Sequence, residues 1–153
     1  MSIDARLEEL GIILPEAAAP VASYVPVVIH GGMAFVSGQI SFVDGELMKG
    51  RLGDDVSLDD GMKAARGCGL MILAQLKAAL GSLDRVERVI KLGGFVSSTP
   101  DFTDQPKVVN GASDLMLEVF GEAGKHSRAA VGVPSLPLGV AVEVDAIVAV
   151  TGE

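Results

Sequence analysis

From Val140 to Val150 apolar and polar positions alternate. Val140, Val142, Val144, Ala146, Val148 and Val150 fall on one side, Glu143, Asp145 and Ile147 on the other, the period of a half-buried β-strand. Another strand pattern, residues 127–133, leads into it through Pro134-Ser135-Leu136-Pro137-Leu138-Gly139. Nearer the amino terminus, residues 21–30 read as a strand whose Pro26 confines that position to an edge or a strand end. Gly31-Gly32 is a hairpin turn signal, residues 33–40 a second strand, and residues 46–49 a short third one after the turn at Asp44-Gly45. Residues 86–98 form a fourth.

Helical spacing marks two longer segments. In residues 54–81, Met62, Ala65, Gly69, Ile72, Leu73, Leu76 and Leu80 make one stripe. Ser57 is placed to cap its start, Asp59 and Asp60 to suit its positive end, and Gly81 to stop it. Gly67 and Gly69 inside a helix cost about 1 kcal/mol each relative to Ala, which points to close packing there. Pro106 opens a second helix, with Val109, Ala112, Leu115, Met116, Val119 and Phe120 facing inward and Gly121 and Gly124 at its end. Residues 4–10 predict a short helix within an arm over residues 1–19. The order β-β-β-α-β-α-β-β predicts one α+β domain over residues 1–153: a six-stranded mixed sheet with two helices on one face. The other face, rich in Val, Ala and Gly, is then left for another copy of the chain to bury.

The last two strands, paired as a hairpin centred between Ser135 and Leu136, set Arg128 opposite Glu143. One reading is a cross-strand ion pair on a solvated face, contributing about 0.2–1 kcal/mol. The other is a guanidinium fork for a small carboxylate, beside an acid that handles a proton or a water.

Charge narrows the partners. The 153 residues carry a net charge of −8 and no run of basic residues with interleaved aromatics, which argues against nucleic acid. One cysteine allows no internal disulfide and suits a reducing, cytoplasmic setting. Met1-Ser2-Ile3-Asp4 lacks the basic start of a secretory signal. No apolar run approaches the ~20 residues of a membrane span.

Ser127-Arg128, Val131, Leu136-Pro137 and Val142-Glu143-Val144-Asp145-Ala146-Ile147 form one block. Phe35-Val36-Ser37-Gly38-Gln39-Ile40 forms a second, and Tyr24 stands upstream of it. In this order and at these gaps, across residues 20–150, the chain resembles a divergent branch of the Rid family, the YjgF-like imine and enamine deaminases. The resemblance implies a chorismate-mutase-like fold and a homotrimer with ligand clefts between subunits. It implies that Arg128 grips the substrate carboxylate, Glu143 positions or activates a water, and Tyr24 lines the cleft. Ser37, Gly38 and Ala130 match substrate-binding positions. No metal or organic cofactor is implied. Ala130 stands where close members often carry Cys, Ser or Thr, and His126 where they often carry proline. Ala22-Ser23 replaces a Gly-Pro pair.

The implied reaction is hydrolysis of 2-enamino or 2-imino acids, such as 2-aminoacrylate, to 2-oxo acids and ammonia. Alternatives from other classes are a non-catalytic carboxylate-binding regulator, a ribonuclease and, more remotely, an isomerase or mutase. Other chemistry-bearing residues read as structural. His126 is a surface or rim residue, His30 a turn residue, and Cys68 a buried hydrophobe. Asp145 reads as an ion-pair or interface residue. Asp54-Asp55 and Asp59-Asp60 are solvated helix-entry charge.

Overall fold

A computed structural model describes residues 1–19 and 23–152. Its elements are α1 (Ile3–Glu9), β1 (Val27–His30), β2 (Met33–Ile40), β3 (Phe42–Val43), β4 (Glu46–Leu47), α2 (Leu58–Leu80), β5 (Val86–Ser97), α3 (Gln105–Phe120), β6 (Ser127–Val133) and β7 (Val142–Val150). The helix signals hold at both ends of α2. Ser57 Oγ accepts the Asp60 N–H at 3.1 Å, and Gly81 takes the left-handed conformation at φ +81°. The expected start of the first strand at Val21 and Ala22 lies outside the described residues. Regular pairing begins at Val27, directly after Pro26, whose ring nitrogen has no hydrogen to give a ladder.

Among the described residues five strands, not six, make the main sheet, in the order β1-β2-β7-β5-β6. The expected third strand instead closes a separate two-stranded hairpin, β3 with β4, around Asp44-Gly45. Two residues on each side is too short a pairing to extend the large sheet. Among the described residues there are also three α-helices. α2 lies over β2 and β7, and α3 over β5 and β6, on one face as the stripes require. The third, α1, is tied to this pair by Lys77–Asp4 at 3.0 Å and by Arg6 Nε donating to the Glu118 carbonyl at 2.9 Å.

The hairpin of the last two strands does not form. β6 pairs in parallel with β5, Arg128 beside Leu92, while β7 runs antiparallel along the other edge of β5, Glu143 beside Phe95. The cause is the crossover. A helix that leaves β5 and returns delivers the next strand parallel to it. The proline-containing connection then carries the chain past the end of β5. Arg128 and Glu143 are therefore about 10 Å apart across the sheet and, from Leu92 to Phe95, about 10 Å apart along it.

Between sheet and helices lies the core, with Val142, Val144, Val148, Leu92, Val96, Ile72, Leu73, Val109 and Leu115 buried. The opposite face keeps the other half of the alternation, and there Phe35 is 44% and Val131 46% exposed. Among the described residues no helix is long and apolar enough to cross a membrane.

Candidate functional site

One irregularity in β2 builds the candidate site. Val36 pairs with Ala146 but Gln39 with Val144, so Ser37 and Gly38 together face Asp145 alone. Such a bulge bends the strand and re-aims its side chains. Ser37 Oγ donates to the Val25 carbonyl at 2.8 Å, and its N–H to the Pro26 carbonyl at 2.9 Å, fixing the segment that carries Tyr24. A Cβ on Gly38 would collide with the Glu143 carboxylate. The side chain of Glu143 thus rests on bare glycine backbone, and a larger residue at position 38 would have to push its carboxylate aside.

Tyr24, Ser37, Gly38 and Glu143 line one cavity of about 560 Å³ with Phe42, Leu138 and the buried amides Gln39 and Gln75. Four of the six residues singled out from sequence therefore meet. Burial, and the charge of Asp145 after it, push the Glu143 carboxyl above the usual glutamate range. Asp145 is raised mainly by burial, with a Gly93 backbone hydrogen bond and Lys91 opposing.

Arg128 and Ala130 are elsewhere. Glu143, Phe95 and Val131 form one row across the sheet, on the face away from the helices. Arg128, three residues before Val131, points to the helix face. There its Nη1 donates to Asn110 Oδ1 at 2.7 Å and to Ser113 Oγ at 3.1 Å. No ion pair joins Arg128 to Glu143 among the described residues. The two meet neither as a cross-strand pair nor in one cavity of one chain.

Sequence reading missed Gln39 and Gln75. Gln75 Nε2 donates to the Ala18 carbonyl at 2.7 Å, tying the arm to the cavity. The available signal was an amide set among the apolar residues of α2, only 3% exposed. Cys68 is fully buried, its thiol pushed far up by burial, as a structural cysteine requires. His126 is half-buried, and both its ring nitrogens are hydrogen-bonded.

The family model described as "YjgF/chorismate mutase-like, putative endoribonuclease" matches residues 4–149. The chain belongs to the YjgF-like, or Rid, family. Protein TCP17 of Trypanosoma cruzi is 54% identical over 148 residues, 95% of this chain and 92% of that protein. The solved structure of Atu1372 from Agrobacterium tumefaciens superposes with a TM-score of 0.90 at 49% identity, covering 97% of this chain and 92% of the other. A more distant member, Escherichia coli TdcF solved with bound serine, gives a TM-score of 0.64 at 26% identity over 92% of this chain and 98% of its own.

Proposed function

We propose that the protein hydrolyses reactive 2-enamino and 2-imino acids, with Arg128 gripping the substrate carboxylate and Glu143 handling the water. The observation that carries this reading is the Glu143 carboxyl, raised by burial and set over Gly38 in a cavity with Tyr24 and Ser37. Kinship with TdcF, which binds serine, supports a small amino-acid-like carboxylate as ligand. A carboxylate whose pKa is raised takes a proton from water more readily than an ordinary glutamate does. The enamine reacts through its imine tautomer: water adds to the electrophilic imine carbon as one of its protons passes by way of Glu143 to nitrogen, giving a carbinolamine. Transfer of the remaining hydroxyl proton to nitrogen, again through Glu143, breaks the C–N bond and leaves ammonia and the 2-oxo acid. The permanently charged, planar guanidinium of Arg128 offers two parallel hydrogen bonds to the carboxylate, which a lysine does not reproduce.

The two groups share a ligand only if the β6 edge of one copy comes against the Glu143 cavity of the next. A homotrimer with intersubunit clefts is the assembly we infer, and the exposed Phe35 and Val131 support it as apolar surface left for a neighbour. The ribonuclease reading fits less well. His30, on β1, and His126, just before β6, sit at opposite edges of the sheet and make no general acid–base pair.

Generating 2-aminoacrylate in situ and following pyruvate release tests the reaction. Acceleration over the spontaneous rate is expected. Binding of pyruvate with no acceleration would instead identify a carboxylate-binding regulator.

A further inference from the structure

A chain of four hydrogen bonds runs behind Arg128. Its Nη1 donates to Asn110 Oδ1 (2.7 Å) and Ser113 Oγ (3.1 Å). Ser113 Oγ lies 2.8 Å from His126 Nε2, and His126 Nδ1 lies 2.6 Å from the Gly124 carbonyl oxygen. Both ends fix the direction. A guanidinium only donates and a carbonyl only accepts. In the neutral ring, His126 Nδ1–H donates to Gly124, its bare Nε2 accepts the Ser113 hydroxyl hydrogen, and Ser113 Oγ accepts from Arg128.

This accounting has a consequence for the arginine. Nη1 has two hydrogens, and Asn110 and Ser113 take one each. Nε and Nη2 have no acceptor among the described residues and remain as the edge that can meet a carboxylate in parallel. We propose that Ser113 and His126 are positioning residues for Arg128, locking its guanidinium plane so that the Nε–Nη2 edge faces the substrate carboxylate. The inference rests on the reading of Arg128 as the carboxylate grip.

Two other roles fit less of what is seen. A Ser–His nucleophile needs an accessible hydroxyl, but Ser113 is 8% exposed and its oxygen already accepts from Arg128. A histidine that merely closes the turn after α3 needs only the bond to Gly124, which leaves the Nε2–Ser113 contact unexplained. Positioning uses every bond in the chain.

The test measures pyruvate affinity and steady-state turnover of 2-aminoacrylate on the full-length protein. Ser113→Ala and His126→Leu should each weaken pyruvate binding roughly threefold to tenfold, the range of one net hydrogen bond. KM should rise while kcat stays within about twofold, because the carboxylate is held alike in ground and transition states. The double variant should be no weaker than Ser113→Ala alone, since both break one chain. His126→Gln, which returns an acceptor oxygen near the Nε2 position, should restore affinity. Ser113→Ala removes a single oxygen and reports even if His126→Leu fails to fold. Unchanged pyruvate affinity in Ser113→Ala, beside an Arg128→Ala variant that loses it, would overturn the positioning role alone. Additive losses, or a His126→Gln variant as weak as His126→Leu, would also overturn it. Full affinity in Arg128→Ala would remove both the inference and the carboxylate-grip reading beneath it.

Discussion

Glu143 pays for its position in the cavity with a carboxyl that burial and Asp145 hold above the ordinary range. A carboxyl raised in the folded state and near 4.3 in the unfolded chain costs no stability below the unfolded pKa. Stability is then lost as pH rises through the folded value. Glu143→Gln should therefore raise the melting temperature at pH 7, with the gain shrinking toward pH 4. Turnover should fall by about 10²–10⁴, the usual share of general acid–base assistance. A lower melting temperature at pH 7 would show that Glu143 has a stabilising partner after all. Arg128→Lys should cost at least about tenfold in pyruvate affinity with the fold retained, since a lysine cannot reproduce a charge-assisted fork. Wild-type affinity in that variant would make the arginine purely structural.

Between elements, glycines sit where backbones come close. A Cβ on Gly67 would collide with the Phe42 carbonyl, where α2 crosses β3, and one on Gly111 with the Met62 carbonyl, where α3 crosses α2. Helix propensity alone makes Gly67→Ala stabilising by about 1 kcal/mol. Backbone cannot yield as a flexible side chain does, so we expect a net loss of about 1–3 kcal/mol, as overpacking typically costs. Urea unfolding measures the sign. Stabilisation would mean that the β3–β4 hairpin moves freely off the helix. The need for close packing was legible in the sequence, because two glycines interrupt a long apolar stripe. Its target was not, because β3 is two residues long and leaves no periodicity to read.

Across the whole molecule, the helix-free face carries the exposed apolar surface on which the proposed trimer rests. Phe35 stands there between Val28, 51% exposed, and Ile147 in the ladder. Phe35→Glu places a charge in that apolar row, which an interface core disfavours. Sedimentation velocity should show trimers for the wild type and monomers for the variant. Hydrolysis should be lost with assembly, because one chain cannot bring Arg128 to Glu143. A monomeric wild type that still hydrolyses 2-aminoacrylate would refute the shared cleft.

Local chemistry set much of this protein by itself. Alternation placed Glu143 on the face opposite Val142 and Val144, and Ser57 and Gly81 bounded α2, because periodicity and capping depend on residues a few positions apart. Ser37, Gly38, Tyr24 and Glu143 were legible as a group through motif order, and they share a cavity. The partner of β6, the bulge beneath Glu143 and the bonds around Arg128 were decided only by tertiary structure. Ser127–Val133 carries equal apolar character whether it pairs with β7 or β5. The α3 crossover decides for β5, and that choice turns Arg128 toward Asn110, Ser113 and His126. Strand pairing joins residues far apart in sequence, and the free-energy difference between two neighbours lies in the connections and the packing around a strand, not in the strand itself.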